Sequence, residues 1–80
     1  MSLKLMPNPA KNYLKINISG FENDRESKLL IHDIAGRIVM AGQFNLQGKR
    51  VDLFLLKNGI YTLTVKQDGK SITERLIVAK

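Results

Sequence analysis

The chain has 80 residues, no cysteine, a formal net charge of +6 and a pI near 9.9. That length makes one domain with a small core, because folding at this size removes only about 60% of the unfolded chain's surface from water; disulfides, thiolate metal sites and cysteine nucleophiles are excluded. An apolar fraction of 44% beside 25% charged residues of both signs describes a globular chain, and no apolar run approaches the roughly 20 residues that span a bilayer.

Met1-Ser2-Leu3-Lys4 lacks the charged-then-apolar pattern of a signal peptide. It reads as an expression start, so a fragment of a longer protein is expected, with residues 1–5 a start or linker plus a short first strand. That strand, Leu3 to Met6, stops at Pro7, and each X-Pro step pushes Met6 and Asn8 to extended conformations. Tyr13 to Ser19 follows, with Leu14, Ile16 and Ile18 on one face and Lys15 and Asn17 on the other. Gly20 to Ser27 is a polar loop.

Lys28 to Ile34 and Arg37 to Phe44 form a hairpin. Its link, Asp33-Ile34-Ala35-Gly36, suits a type I turn with Gly36 at positive φ, and Asp33 accepts a hydrogen bond from the turn backbone. Asn45 to Gly48 is a further turn, then Lys49 to Leu53 a strand with Val51 and Leu53 inward. Asn58-Gly59 is a strong turn signal, with Gly59 supplying the turn conformation. In Gly59 to Gln67, Tyr61, Leu63 and Val65 alternate with Thr62, Thr64 and Lys66; Tyr61 packs inward or caps the core with its hydroxyl wet. Asp68-Gly69 makes a tight hairpin into Lys70 to Ala79.

About seven antiparallel strands with no helix predict an all-β, Ig-like sandwich. A closed barrel is the alternative, since its strands alternate in the same way. The sandwich is favoured because Leu29-Leu30-Ile31 and Leu76-Ile77-Val78 are apolar at consecutive positions, as in central strands or strands covered on both faces at one end.

Candidate chemistry is sparse, and no catalytic, metal or cofactor-binding residue is expected. His32 and Asp33 are neighbours on a strand, pointing to opposite faces, so they do not form a base and its orienting carboxylate. Glu22 to Glu26 is the one stretch with clustered oxygen ligands, yet it lacks regular Asp/Asn alternation with a central glycine and contains Arg25, so a solvated loop is the reading. Ser2, Ser19, Ser27 and Ser71 have no histidine partner. The cations Lys15, Lys28, Arg37, Lys49, Arg50, Lys66 and Arg75 are spread one or two per segment, which argues for a solvated basic surface rather than a nucleic-acid face.

Three segments, in order, carry a resemblance. Met6 to Ile16, "MPNPAKNYLKI", holds an apolar residue, Pro-Asn-Pro and a polar step into a strand. Leu29 to Val39, "LLIHDIAGRIV", holds an apolar strand, Asp, Gly after two residues, a basic residue and Ile-Val. Leu55 to Lys80 holds Leu, a polar step, Gly-Ile-Tyr, a strand, a glycine turn and a basic residue before an apolar tail ending in lysine. Together they resemble the C-terminal sorting domain of the type IX secretion system of the Bacteroidetes, from about Met6 to the last residue. His32 stands where that family commonly has an aromatic residue, and Met6 where it often has tyrosine.

The resemblance implies a non-catalytic signal over residues 6–80 at the end of a larger secreted protein. Its partners would be an N-terminal passenger, the outer-membrane type IX machinery and a cell-surface sortase that cuts near or before Leu3. The protein would cross the periplasm and finish at the cell surface or outside, the passenger released or joined to an anionic lipopolysaccharide. The sorting motif would comprise Pro7, Asn8, Pro9, Asp33, Gly36, Gly59, Tyr61, Arg75, Leu76, Ile77, Val78 and Lys80. Pro7-Asn8-Pro9 stiffens the junction after a linker. The last strand is a candidate for edge pairing with a receptor strand, Arg75 and Lys80 adding orientation; the plainer alternative is that Leu76 and Val78 complete a sheet. Rival functions are a carbohydrate-binding module, which lacks a row of exposed aromatics and any Trp, and a structural Ig-like spacer.

Overall fold

Alternation decides which side of each strand turns inward. The computed structural model describes residues 2–21, 26–44 and 49–80, among which there are seven strands and no helix. In β1 (Ser2–Met6) Leu3 and Leu5 are buried between exposed Ser2, Lys4 and Met6. In β2 (Tyr13–Ser19) Leu14 and Ile16 go inward. β3 (Ser27–His32) buries Leu29 and Ile31, and β6 (Gly59–Gln67) buries Tyr61, Leu63 and Val65. β4 (Ile38–Phe44), β5 (Lys49–Asp52) and β7 (Lys70–Val78) complete the set.

The strands divide into a three-stranded sheet, β1-β2-β5, and a four-stranded sheet, β4-β3-β6-β7, antiparallel throughout. The chain changes sheet between β2 and β3, β4 and β5, and β5 and β6. This is the expected Ig-like sandwich, with two sheets rather than one closed barrel. Leu14, Ile16, Leu29, Ile31, Leu63, Val65 and Leu76 fill the space between them at 0–1% exposure. A buried polar pair is satisfied internally, the Gln67 amide donating to Ser27 Oγ at 3.1 Å.

Several boundaries depart from the sequence expectation. β3 ends at His32 and β4 begins at Ile38, because Asp33 starts a turn instead of continuing the strand. Asn58-Gly59 is not the reversal; the chain turns at Phe54-Leu55, where the Leu56 N–H donates to the Leu53 carbonyl at 2.9 Å. Asp68 and Gly69 both have positive φ, 48° and 80°, as the tight hairpin requires. The predicted turn Asn45 to Gly48 and most of the Glu22 to Glu26 stretch lie outside the described residues. Along the sequence the cations are spread, but folding brings Lys4, Lys15 and Arg50 onto the outer face of the three-stranded sheet, Lys15 directly opposite Arg50.

Register fixes the two ends of the sandwich. Met6 lies opposite Lys15, Tyr13 opposite Asp52, Gly59 opposite Val78, and His32 opposite Thr62 and Ile38. One end therefore gathers residues 7–12, the turns 33–37 and 53–58, and residues 79–80. The other carries Ser2, opposite Ser19, and the Asp68-Gly69 turn. The molecule measures 32 × 22 × 18 Å. Nine-residue strands at ~3.3 Å per residue put the ends roughly 30 Å apart.

Leu63 has 0% exposure in the middle of β6, between Ile31 and Glu74 of the neighbouring strands. Replacing it by alanine should lower the unfolding free energy by about 2–5 kcal/mol. Urea denaturation checks this, and a loss under about 1 kcal/mol would place the stabilising core elsewhere.

Candidate functional site: the motif end of the sandwich

Pro7-Asn8-Pro9 crosses from the three-stranded sheet to the edge of the four-stranded one. Both prolines follow cis peptide bonds. Lacking N–H groups, they ask nothing of a sheet edge. Asn8 between them does the bonding: its Nδ2 donates to the Arg75 carbonyl at 2.9 Å, and its Oδ1 accepts from the Ile77 N–H at 3.1 Å. An amide of this length carries a donor and an acceptor side by side, as a strand residue's backbone does. Two residues on, the Ala10 N–H donates to the Ile77 carbonyl and the Ala79 N–H to the Ala10 carbonyl, both at 2.7 Å. The outward edge of β7 from Arg75 to Ala79 is thus occupied by the chain's own first segment. Ala10, fully buried, fits beneath it.

Asp33 organises the β3–β4 turn. Its Oδ1 accepts from the backbone N–H groups of Ala35 and Arg37, each at 2.9 Å, and its Oδ2 from Arg37 Nε at 3.0 Å. The Gly36 N–H donates to the Asp33 carbonyl at 3.0 Å, and the Asp33 N–H to the Arg37 carbonyl at 2.9 Å. Gly36 closes this three-residue loop at φ 87°, which disfavours any side chain although the space is open. The Arg37 backbone N–H, helped by its guanidinium and the Ala35 N–H, holds the Asp33 carboxyl below its ordinary 3.8. Among the described residues, the acceptor bonds of this carboxylate go to its own turn; His32, half-buried at the end of β3, is not among its partners.

The β5–β6 connection is held from three sides. Asp52 Oδ1 accepts from the Phe54 N–H at 3.0 Å. Tyr61 is 8% exposed, and its hydroxyl donates to the Lys57 carbonyl at 2.6 Å rather than to water. A tyrosine at the start of this strand, bonded back to backbone a few residues upstream, is the tyrosine corner of Ig-like sandwiches. Lys80 supplies the third hold: its Nζ donates to the Leu53 and Phe54 carbonyls, each at 3.1 Å, and its N–H to Asn58 Oδ1 at 2.8 Å. Gly59 departs from expectation. It opens β6 without a positive φ, and an added Cβ would sit 3.7 Å from the Tyr61 ring, an ordinary contact.

The motif residues therefore converge on one end, most of them bonded within the fold. Leu76 and Val78 belong to the core, and Ile77 is half-buried beside the Asn8 strap. Sequence reasoning missed Ala10, Lys57 and Asn58, whose parts lie in backbone groups and long-range bonds, and Asp52, whose carboxylate accepts from the N–H two residues on. It also missed Ile34, Phe54 and Leu55, exposed at 88%, 76% and 84%. A signal for these existed: large apolar residues in the middle of turns that favour Gly, Pro, Asn, Asp and Ser. Elsewhere, Arg50 stacks on the Tyr13 ring at 4.2 Å to the centroid, covering a face that sugar stacking would need. Among the described residues no three His, Asp or Glu side chains come together as a metal site requires, and no helix is long and apolar enough to cross a membrane.

A family model described as "Secretion system C-terminal sorting domain" matches residues 4–79. No match to a curated protein was found.

Two expectations follow from the geometry. Asn8→Ala should cost about 0.5–1.5 kcal/mol and speed amide exchange at Ile77. Asn8→Asp should cost more, since a carboxylate oxygen would then face the Arg75 carbonyl; equal effects would mean that the amide's donor is not used. For Asp33 the folded-state pKa lies below the unfolded one. Its contribution is therefore complete above the unfolded value and is lost as pH falls through the folded value. Asp33→Asn should be less stable than the parent at about pH 7, with the gap closing towards about pH 2, as read from urea midpoints.

Proposed function

The chain belongs to the family of C-terminal sorting domains of the type IX secretion system, and we propose that the end of the sandwich remote from Ser2 is the part that the export machinery reads. A domain of this family marks its protein for type IX secretion to the cell surface or beyond, and so interacts with that system. The proposal is more specific. A passenger precedes β1, the fused protein passes through the periplasm, and a cell-surface sortase removes the domain by cutting near or before Leu3. The domain itself performs no catalysis.

One observation carries this reading. Pro7, Asn8, Pro9, Asp33, Gly36, Gly59, Tyr61, the Arg75–Val78 stretch and Lys80 lie at or within a few residues of one end, while Ser2 lies at the other. A folded passenger joined before Ser2 leaves the motif end open, roughly 30 Å away. Edge pairing with a receptor strand is then confined to the Lys70-to-Thr73 half of β7, or requires the Asn8 strap to be displaced, because Asn8 and Ala10 already bond the other half.

A reporter enzyme joined before residue 2, expressed with a secretory leader in a bacterium that has the type IX system, should reach the cell surface or medium only when this chain is attached. The surface reporter should end before the Pro7 motif by mass spectrometry. Equal export from a strain lacking the system, or retention of a well-folded fusion, would overturn the reading. A reporter still carrying residues 2–80 would overturn sortase removal alone.

A further inference from the structure

Most motif residues spend their hydrogen-bonding groups inside the fold. The Asp33 carboxylate, the Tyr61 hydroxyl, the Lys80 ammonium and the Asn8 amide all hold backbone of this same chain. The first three hold up a pair of adjacent turns, and a shallow cleft of about 310 Å³ between these is lined in part by Asp33, Arg37, Leu55, Lys57 and Tyr61. At the tips stand Ile34, Phe54 and Leu55, the three most exposed large apolar side chains among the described residues. Neither turn demands them. Central positions of such turns accept most residues, and polar or small ones prevail. Three large apolar tips held out by rigid turns are therefore a presented surface.

Cations outnumber acids around it. Arg37 (81% exposed along its side chain), Lys57 and Lys80 surround the tips. Of the two acids nearby, Asp33 bonds its own turn and pairs with Arg37 at 3.0 Å, and Asp52 accepts from the Phe54 N–H, so the three cations exceed the acids by one.

Resting on the sorting reading above, we propose that Ile34, Phe54 and Leu55 are the residues that the export machinery contacts, and that the receiving site is an apolar protein pocket with an acidic rim. The apolar tips supply burial, and the surrounding cations supply orientation and speed of encounter. Asp33, Gly36, Tyr61 and Lys80 act as positioning residues for those tips. A protein partner is favoured over a bilayer because the tips are few, fixed and spread over two separately braced turns, which suits a shaped pocket.

The test uses the same reporter fusion. The triple variant Ile34→Ser, Phe54→Ser, Leu55→Ser should export at least tenfold less than the parent, with the purified domain's Tm within about 4 °C of it. The single variants I34S and L55S, one on each turn, should each lose export severalfold, so that a folding defect in the triple cannot decide the matter. Lys57→Glu should also lose export severalfold, while Lys66→Ser, toward the other end of β6, should leave it unchanged. Parental export of the triple variant overturns this surface and leaves the sorting reading intact; a parent fusion that is not exported overturns both. Binding of the parent domain, but not the triple variant, to vesicles of equal phosphatidylglycerol and phosphatidylcholine would assign the tips to a membrane. A dimer in sedimentation that the triple variant loses would assign them to a second copy. Either result overturns the protein pocket.

Discussion

Four hydrogen bonds between the chain's first segment and its last strand set the shape of the sandwich. Asn8 and Ala10 bond Arg75, Ile77 and Ala79 across about 65–70 positions of sequence. Without them the β7 edge would lie open from Arg75 onward, and beyond apolar packing the sheets would be tied by side chains such as Lys70 and Lys80. With them the β1–β2 connection belongs to both sheets, and Ala10 and Val78 share a parallel bridge. The unusual composition of the link follows from this task. An edge partner here must supply a donor and an acceptor from one short side chain, and neighbours without N–H groups leave no donor stranded.

The same logic of self-satisfaction runs through the turns. In each, a side chain substitutes for a missing strand partner: the Asp33 carboxylate for the β3–β4 turn, and Tyr61, Asp52 and Lys80 for the sheet crossing that leads into β6. A core this small leaves little margin for unpaired polar groups. Among the described residues no buried side-chain nitrogen or oxygen lacks a partner. The cost of such economy is that residues looking most like recognition signals in the sequence have few groups left to offer a partner.

That distinction explains what was legible in advance. Strand alternation in Tyr13–Ser19 and Gly59–Gln67 reported burial directly, because a period of two has one meaning when one face is covered. Asp33 and Gly36 were readable because one residue needs a local acceptor and the other a left-handed backbone. Asn58-Gly59 misled for a related reason. The dipeptide's usual role is a hairpin, but here Asn58 is spent on the Lys80 N–H and Gly59 begins a strand. Asn8 with β7 and Lys80 with Leu53 were not readable. Their partners are distant in sequence, and one member of each contact is anonymous backbone.

The size of the motif end also constrains how it can be recognised. An end measuring about 22 × 18 Å offers roughly 400 Å² to a partner, below the ~800 Å² per side of a lasting protein complex. Contact there is weak unless little entropy is lost on forming it. Braced turns serve that purpose, since tips already fixed by Asp33, Tyr61 and Lys80 have less freedom to lose than mobile loops. Weakness is itself suited to a sorting label, which must be engaged and then let go. Binding by a small, preorganised apolar end with a cationic surround combines fast encounter with fast release. A strand added along the whole of β7 would hold its receptor far more durably, and the Asn8 strap stands in its way.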